Sequence, residues 1–155
     1  MPRIIAVHSF RGGTGKSNLT ANLAATLALA GHRVAVVDVD IQSPGIHVLF
    51  GIDEQHVVRS LNDYLWGRCL IQDAAYDVSA TLPRERVAAL ASRGSLYLVP
   101  SSIEAGGIAR ILREGYDVDL LAAGAQALLS ELSLDYLLLD THPGLNERAS
   151  LDPLR

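Results

Sequence analysis

Lysine is almost missing from this chain. Of its 13 basic residues only Lys16 is a lysine, and the other twelve are arginines. Cysteine is as scarce. Cys69 stands alone, which excludes an internal disulfide framework and any Cys-x-x-Cys metal site within these residues. It reads as a small apolar residue in a reducing cytosol. An excess of either charge is also missing. The net charge is −4 with no long run of one sign, so nothing advertises a nucleic-acid or membrane surface. Every apolar stretch is interrupted well before the ~18 residues that suggest a membrane span. Met1-Pro2-Arg3 leads straight into a strand pattern, unlike a secretory leader. The expected location is cytoplasmic. What remains is a chain of 155 residues, 49% hydrophobic, which suits one domain with a buried core rather than a disordered segment.

The lone lysine falls inside the most informative stretch, Phe10-Arg11-Gly12-Gly13-Thr14-Gly15-Lys16-Ser17. Before it runs Ile4-Ile5-Ala6-Val7, a strand pattern; after it a helical pattern begins. A phosphate chain needs a strand, a glycine-rich turn and a helix start in that order. Glycines let backbone N–H groups turn toward the anion, and the helix N-terminus adds donors and partial positive charge. Lys16 can then reach the terminal phosphates, and the Ser17 hydroxyl can ligate Mg²⁺. A plain tight turn would also use Gly12, Gly13 and Gly15. It would not call for Lys-Ser at the helix start.

Residues 3–9 read as a buried strand. From Ser17 to about Ala30 a helix is expected, with Leu19, Leu23, Leu27 and Ala30 on its apolar face and Gly31 as its stop. Val34 to Asp38 is a second strand, apolar on both faces as in a covered parallel sheet. Together they form a βαβ unit. Ser60 caps a short amphipathic helix through Trp66, and a short element opens at Pro83-Arg84-Glu85-Arg86. Ser95–Val99 is a third strand. Ala105-Gly106-Gly107 reads as a bend before a helix over 108–114. A longer helix covers Val118 to about Leu132, and residues 134–140 form a fourth strand. Asp38 and Asp40 end strand two, and Asp140 ends strand four before Thr141-His142-Pro143-Gly144. In open α/β sheets ligands collect at such carboxyl ends.

The common P-loop pattern has glycine where this chain has Phe10. The pattern that fits is a basic residue followed by Gly-Gly-x-Gly-Lys-Ser/Thr. In this it resembles the MinD/ParA family of P-loop ATPases, with Arg11 where that family usually has lysine. An arginine there keeps the charge and adds a fork suited to phosphate. The resemblance covers the whole sequence in order: the deviant Walker A motif, the Asp-x-Asp segment and an Asp-x-x-Pro-Gly switch.

The resemblance implies an α/β fold, a P-loop NTPase-like parallel sheet flanked by helices, in one domain over residues 1–155. It implies ATP and Mg²⁺ as cofactors. Gly12, Gly13, Thr14, Gly15, Lys16, Ser17 and Asn18 would hold the nucleotide. Ser17, Asp38 and Asp140 would hold the metal, directly or through water. Arg11, Lys16 and Asp40 would be catalytic. Asp40 would orient the attacking water, and Arg11 would reach a partner's phosphates across an ATP-dependent homodimer. An activating partner protein is implied as well. DNA or membrane platforms occur in the family but have no support in these residues. Members of the family run well beyond 155 residues, so an N-terminal portion of a longer protein or a natural short relative, with weak nucleotide binding, is the expectation.

The implied function is ATP hydrolysis driving spatial positioning or partitioning of cargo. The alternative is a non-hydrolysing regulatory or scaffold module on the same fold. Iron–sulfur carriers of the same group are disfavoured by the single Cys69. His142 is expected only to pack on its neighbours. Arg110 and Arg113 should be solvated, and Tyr64 and Trp66 should pack beside the core.

Overall fold

Alternation along the strands decides how the layers form. β2 (Arg33–Asp38) sends Val34 and Val36 to one side and Ala35 and Val37 to the other. β4 (Ser95–Val99) and β5 (Tyr136–Asp140) divide in the same way. Leu96, Leu98 and Leu138 join Val34 and Val36, whereas Val99, Leu137 and Leu139 join Ala35 and Val37. A sheet with an apolar set on each face must be covered on both.

The computed structural model describes residues 1–83 and 94–143 and shows that covering. Five strands lie in the order β1-β5-β2-β4-β3, with β1 at Arg3–Val7 and β3 at Tyr76–Asp77. All pairings are parallel except that of β3 with β4. On one face lie α1 (Lys16–Leu29) and α2 (Ile46–Leu49), through Ala24, Ala28 and Ile46. On the other lie α3 (Leu61–Leu65), α4 (Ala105–Glu114) and α5 (Val118–Glu131), through Leu61, Ile111, Leu121 and Leu128.

Local chemistry sets the helix ends. Ser60 caps α3 in a capping box with Asp63, and Asp117 caps α5 through the N–H groups of Asp119 and Leu120. At the end of α1, Gly31 takes φ 94°. The N–H of Gly31 bonds Ala28 O and that of His32 bonds Leu27 O, a Schellman closure.

Several expectations change. β1 is not a buried strand: it forms one edge of the described sheet, and Ile4 is 40% exposed. β5 lies between β1 and β2, so the strands of the βαβ unit are not neighbours. The buried face of α1 carries Lys16, Thr20, Ala24 and Ala28, while Leu19 is 61% exposed. The true face is one residue, about 100°, round from the leucine row. Small side chains let the helix lie close against the sheet. The expected bend at Ala105-Gly106-Gly107 is the first turn of α4. Gly107 is glycine for packing: a Cβ there would stand 3.3 Å from Ser102 Oγ and 3.4 Å from the Trp66 ring. The two-residue β3 carries no legible strand pattern. The expected element after Pro83 lies outside the described residues.

Candidate functional site

β1, β5 and β2 are parallel neighbours, so their carboxyl ends lie side by side. Val7 is in register with Asp140, and Asp140 with Asp38. Strand order therefore brings the loop after β1 to the ends of β5 and β2.

That loop is shaped by its glycines. Gly13 (φ 72°) and Gly15 (φ 83°) take left-handed conformations that a side chain would strain. The Arg11 carbonyl accepts from Ser9 Oγ at 2.9 Å and Thr14 Oγ1 at 3.3 Å, which curls the loop on itself. α1 starts at Lys16 with Gly15 as N-cap, no side-chain cap and no acid in its first turn. Its leading N–H groups and dipole are left for an anion.

Four side chains converge behind the loop. Lys16 Nζ lies 2.7 Å from Asp140 Oδ1, and Ser17 Oγ donates to Asp140 Oδ2 at 2.7 Å. Thr20 Oγ1, one turn further along α1, reaches Asp140 Oδ1 at 3.1 Å and Lys16 O at 3.0 Å. Lys16, Thr20 and Asp140 are all buried. Thr20 was not anticipated, although its place four residues after Lys16 puts both on one helix face.

Asp38 is fully buried beside this cluster. Its Oδ1 accepts from the Asp40 N–H at 3.1 Å, and its Oδ2 has no partner. Burial first, then the charges of Asp140 and Asp40, push its carboxyl up to about 8. An orphaned carboxylate oxygen beside a hydroxyl and a second carboxylate fits a hard divalent cation. Among the described residues no group of three or more His, Cys, Asp or Glu side chains is disposed to hold a metal. A Mg²⁺ here would lean on two carboxylates, Ser17 and phosphate oxygens, the mixed shell this ion usually takes.

Asp40 sits in the turn beyond β2, nearly buried. Its Oδ1 accepts from Ser43 N at 3.2 Å and pairs with His142 Nδ1 at 2.7 Å. His142, expected only to pack, is thus bonded to a candidate catalytic carboxylate. The Asp-x-His spacing after β5 was the available signal, since alternate residues of an extended segment share a side. Thr141 turns the other way, bonding Val7 O at 2.9 Å and His8 Nδ1 at 3.1 Å.

Among the described residues no hydrogen bond or ion pair joins the remaining expected residues to the Asp140 carboxylate. Arg11 is exposed, next to a Phe10 that is 69% exposed. Asn18 lines a cavity of about 200 Å³ that none of Lys16, Asp38, Asp40 or Asp140 lines. Gly12 lies near the segment after β5, where a Cβ would stand 3.8 Å from Pro143. Gly144 lies outside the described residues. On the far side, Arg110 pairs with Glu114 at 2.9 Å and lies over the Trp66 ring, so it is less free than expected.

Known proteins resemble the chain in both sequence and fold. Residues 1–72 match the ParA family described as NUBPL iron-transfer P-loop NTPase. The cytosolic Fe-S cluster assembly factor CFD1 of Phaeosphaeria nodorum is 30% identical over 93% of this chain and 48% of its own length. The antiactivator FleN of Pseudomonas aeruginosa is 29% identical over 94% of this chain and 44% of its own. The septum site-determining protein MinD of Pyrococcus horikoshii, complexed with Mg-ADP, superposes with a TM-score of 0.74 at 28% identity. That match covers 96% of this chain and 52% of MinD. The chain therefore spans about half the length of these relatives.

Proposed function

We propose that this chain is a P-loop NTPase of the MinD/ParA type, as its matches to a ParA-family model, CFD1 and MinD support, and that its corner of β1, β5 and β2 binds ATP with Mg²⁺ and hydrolyses it. The observation that carries the reading is the convergence of Lys16, Ser17 and Thr20 on Asp140, beside the unpartnered oxygen of Asp38. Backbone N–H groups of Gly12 to Ser17 and the Lys16 ammonium hold the phosphates. Ser17, Asp38 and Asp140 would hold Mg²⁺, which supplies neutralising charge to the phosphate oxygens. Asp40 orients the attacking water. Arg11, exposed on the loop and in the deviant position of the Walker A motif, reaches the phosphates of a second copy in an ATP-dependent dimer.

Phosphate release from Mg·ATP, lost in Asp40→Ala and Lys16→Ala, tests the reading. Nucleotide binding without phosphate release would instead support a non-hydrolysing scaffold. On the hydrolytic reading, an activating partner triggers turnover and release, and the cycle positions or partitions cargo.

A second reading of the cycle is iron–sulfur cluster assembly, favoured by the match to CFD1 over nearly the whole chain. Cys69 weighs against cluster ligation by these residues alone. It is their single thiol, packed at the edge of the core, with its pKa raised by burial. Anaerobic incubation with ferrous iron and sulfide, followed by gel filtration, tests the assembly reading: iron retained by the chain supports it.

A further inference from the structure

Two donors from two loops meet on one oxygen of Asp40. His142 Nδ1, in the segment after β5, lies 2.7 Å from Oδ1, and Ser43 N, in the turn after β2, lies 3.2 Å from it. None of the hydrogen bonds among the described residues uses Oδ2. A carboxylate only accepts, so the imidazole must carry a proton on Nδ1. An aspartate's terminal torsion is broad and nearly two-fold when nothing holds it. Two donors on Oδ1 remove that freedom and leave the lone pairs of Oδ2 available.

We propose that His142 is a positioning residue that pins Asp40 Oδ1 and leaves Oδ2 as the oxygen that accepts from the attacking water. This rests on Asp40 orienting that water. Hydrolysis of a phosphoryl group depends on where the water is held more than on covalent chemistry by the protein. The Ser43 N–H belongs to the same turn as Asp40 and moves with it. The imidazole comes from across the strand ends and fixes that turn relative to β5. His142 also stands two residues beyond Asp140, the carboxylate bonded to Lys16 and Ser17. One short segment thus sets both the phosphate-gripping cluster and the water-orienting carboxylate.

Asparagine and glutamine separate this role from simple packing. The asparagine amide nitrogen can take the place of Nδ1, whereas that of glutamine lies one bond further out. Single-turnover hydrolysis of Mg·ATP, and affinity for a fluorescent ATP analogue, would be measured for wild type, Asp40→Ala, His142→Ala, His142→Asn and His142→Gln. His142→Ala and His142→Gln should hydrolyse about 10- to 100-fold more slowly, the scale of a small misplacement, with affinity unchanged. His142→Asn should keep most of the rate. If Asp40→Ala is slow while His142→Ala matches wild type, the role of His142 is overturned and the hydrolytic reading stands. Equal losses in His142→Asn and His142→Ala would likewise overturn it. If wild type itself releases no phosphate, the functional reading fails, and this role with it.

Discussion

The Lys16 ammonium lies 2.7 Å from Asp140 Oδ1, with both side chains buried and 124 residues apart in sequence. The other oxygen of the same carboxylate takes the Ser17 hydroxyl. The groups proposed to grip phosphate and Mg²⁺ are thus bonded to one another through Asp140. The pair also ties α1 to the end of β5.

Removing one partner leaves a buried, uncompensated charge. Lys16→Ala should therefore cost about 3–5 kcal/mol of stability, besides abolishing nucleotide binding. Urea unfolding without nucleotide reads the first effect. The double variant Lys16→Met/Asp140→Leu should recover much of the stability and none of the binding. Unchanged stability in Lys16→Ala would mean that the pair does not hold the corner together.

Asp38 makes the stability depend on pH. Between its ordinary value of 3.8 and about 8, the folded chain keeps a proton on this carboxyl that the unfolded chain has lost. Unfolding releases that proton, so stability falls as pH rises through the window. In EDTA and without nucleotide, melting temperature should fall from pH 5 to pH 8 more steeply in wild type than in Asp38→Asn. Over that range the wild-type melting temperature should fall by about 2 °C or more beyond the fall in the variant. Parallel curves would contradict the raised carboxyl.

Gly124 lies in α5 against Tyr64, whose hydroxyl donates to Leu120 O at 2.9 Å. A Cβ at Gly124 would stand 2.7 Å from the Tyr64 ring. Gly124→Ala gains about 1 kcal/mol of helix propensity but meets overpacking of about 1–3 kcal/mol. The expected net effect is destabilising, and Tyr64→Leu in the same chain should reverse it. Thermal melts of the single and double variants decide; a stabilised single variant would show that the ring moves aside freely.

What the sequence made legible was mostly local. The glycine-rich turn, the opening of α1, the Ser60 cap and the strands β2, β4 and β5 each announce themselves within a few residues. The exposed edge of β1 was hidden, because an apolar run looks the same whether or not a neighbour covers it. The inner face of α1 was hidden because Thr20, Ala24 and Ala28 give a weaker apolar signal than the leucines beside them. The Asp40–His142 pair was hidden for another reason. It joins residues 102 apart and depends on β5 lying beside β2, which no local pattern reveals.

Among the described residues no hydrogen bond or ion pair joins the Arg11 side chain to Asp140, and its exposed place on the loop suits a role across a dimer. Arg11→Ala should retain nucleotide binding by the monomer and lose ATP-dependent dimerisation. Asp40→Ala should slow hydrolysis and accumulate the ATP-bound dimer. Light scattering with and without Mg·ATP measures both, and dimerisation unchanged in Arg11→Ala would remove this residue from the interface.

The central claim is that the Lys16–Asp140 corner is a Mg²⁺-dependent nucleotide site. Its most direct test is calorimetric titration of ATP into the 155-residue chain, with Mg²⁺ and with EDTA, beside Lys16→Ala. Saturable binding that weakens in EDTA and vanishes in Lys16→Ala is the predicted result. No binding to the wild-type chain, or equal binding to the variant, would contradict the account.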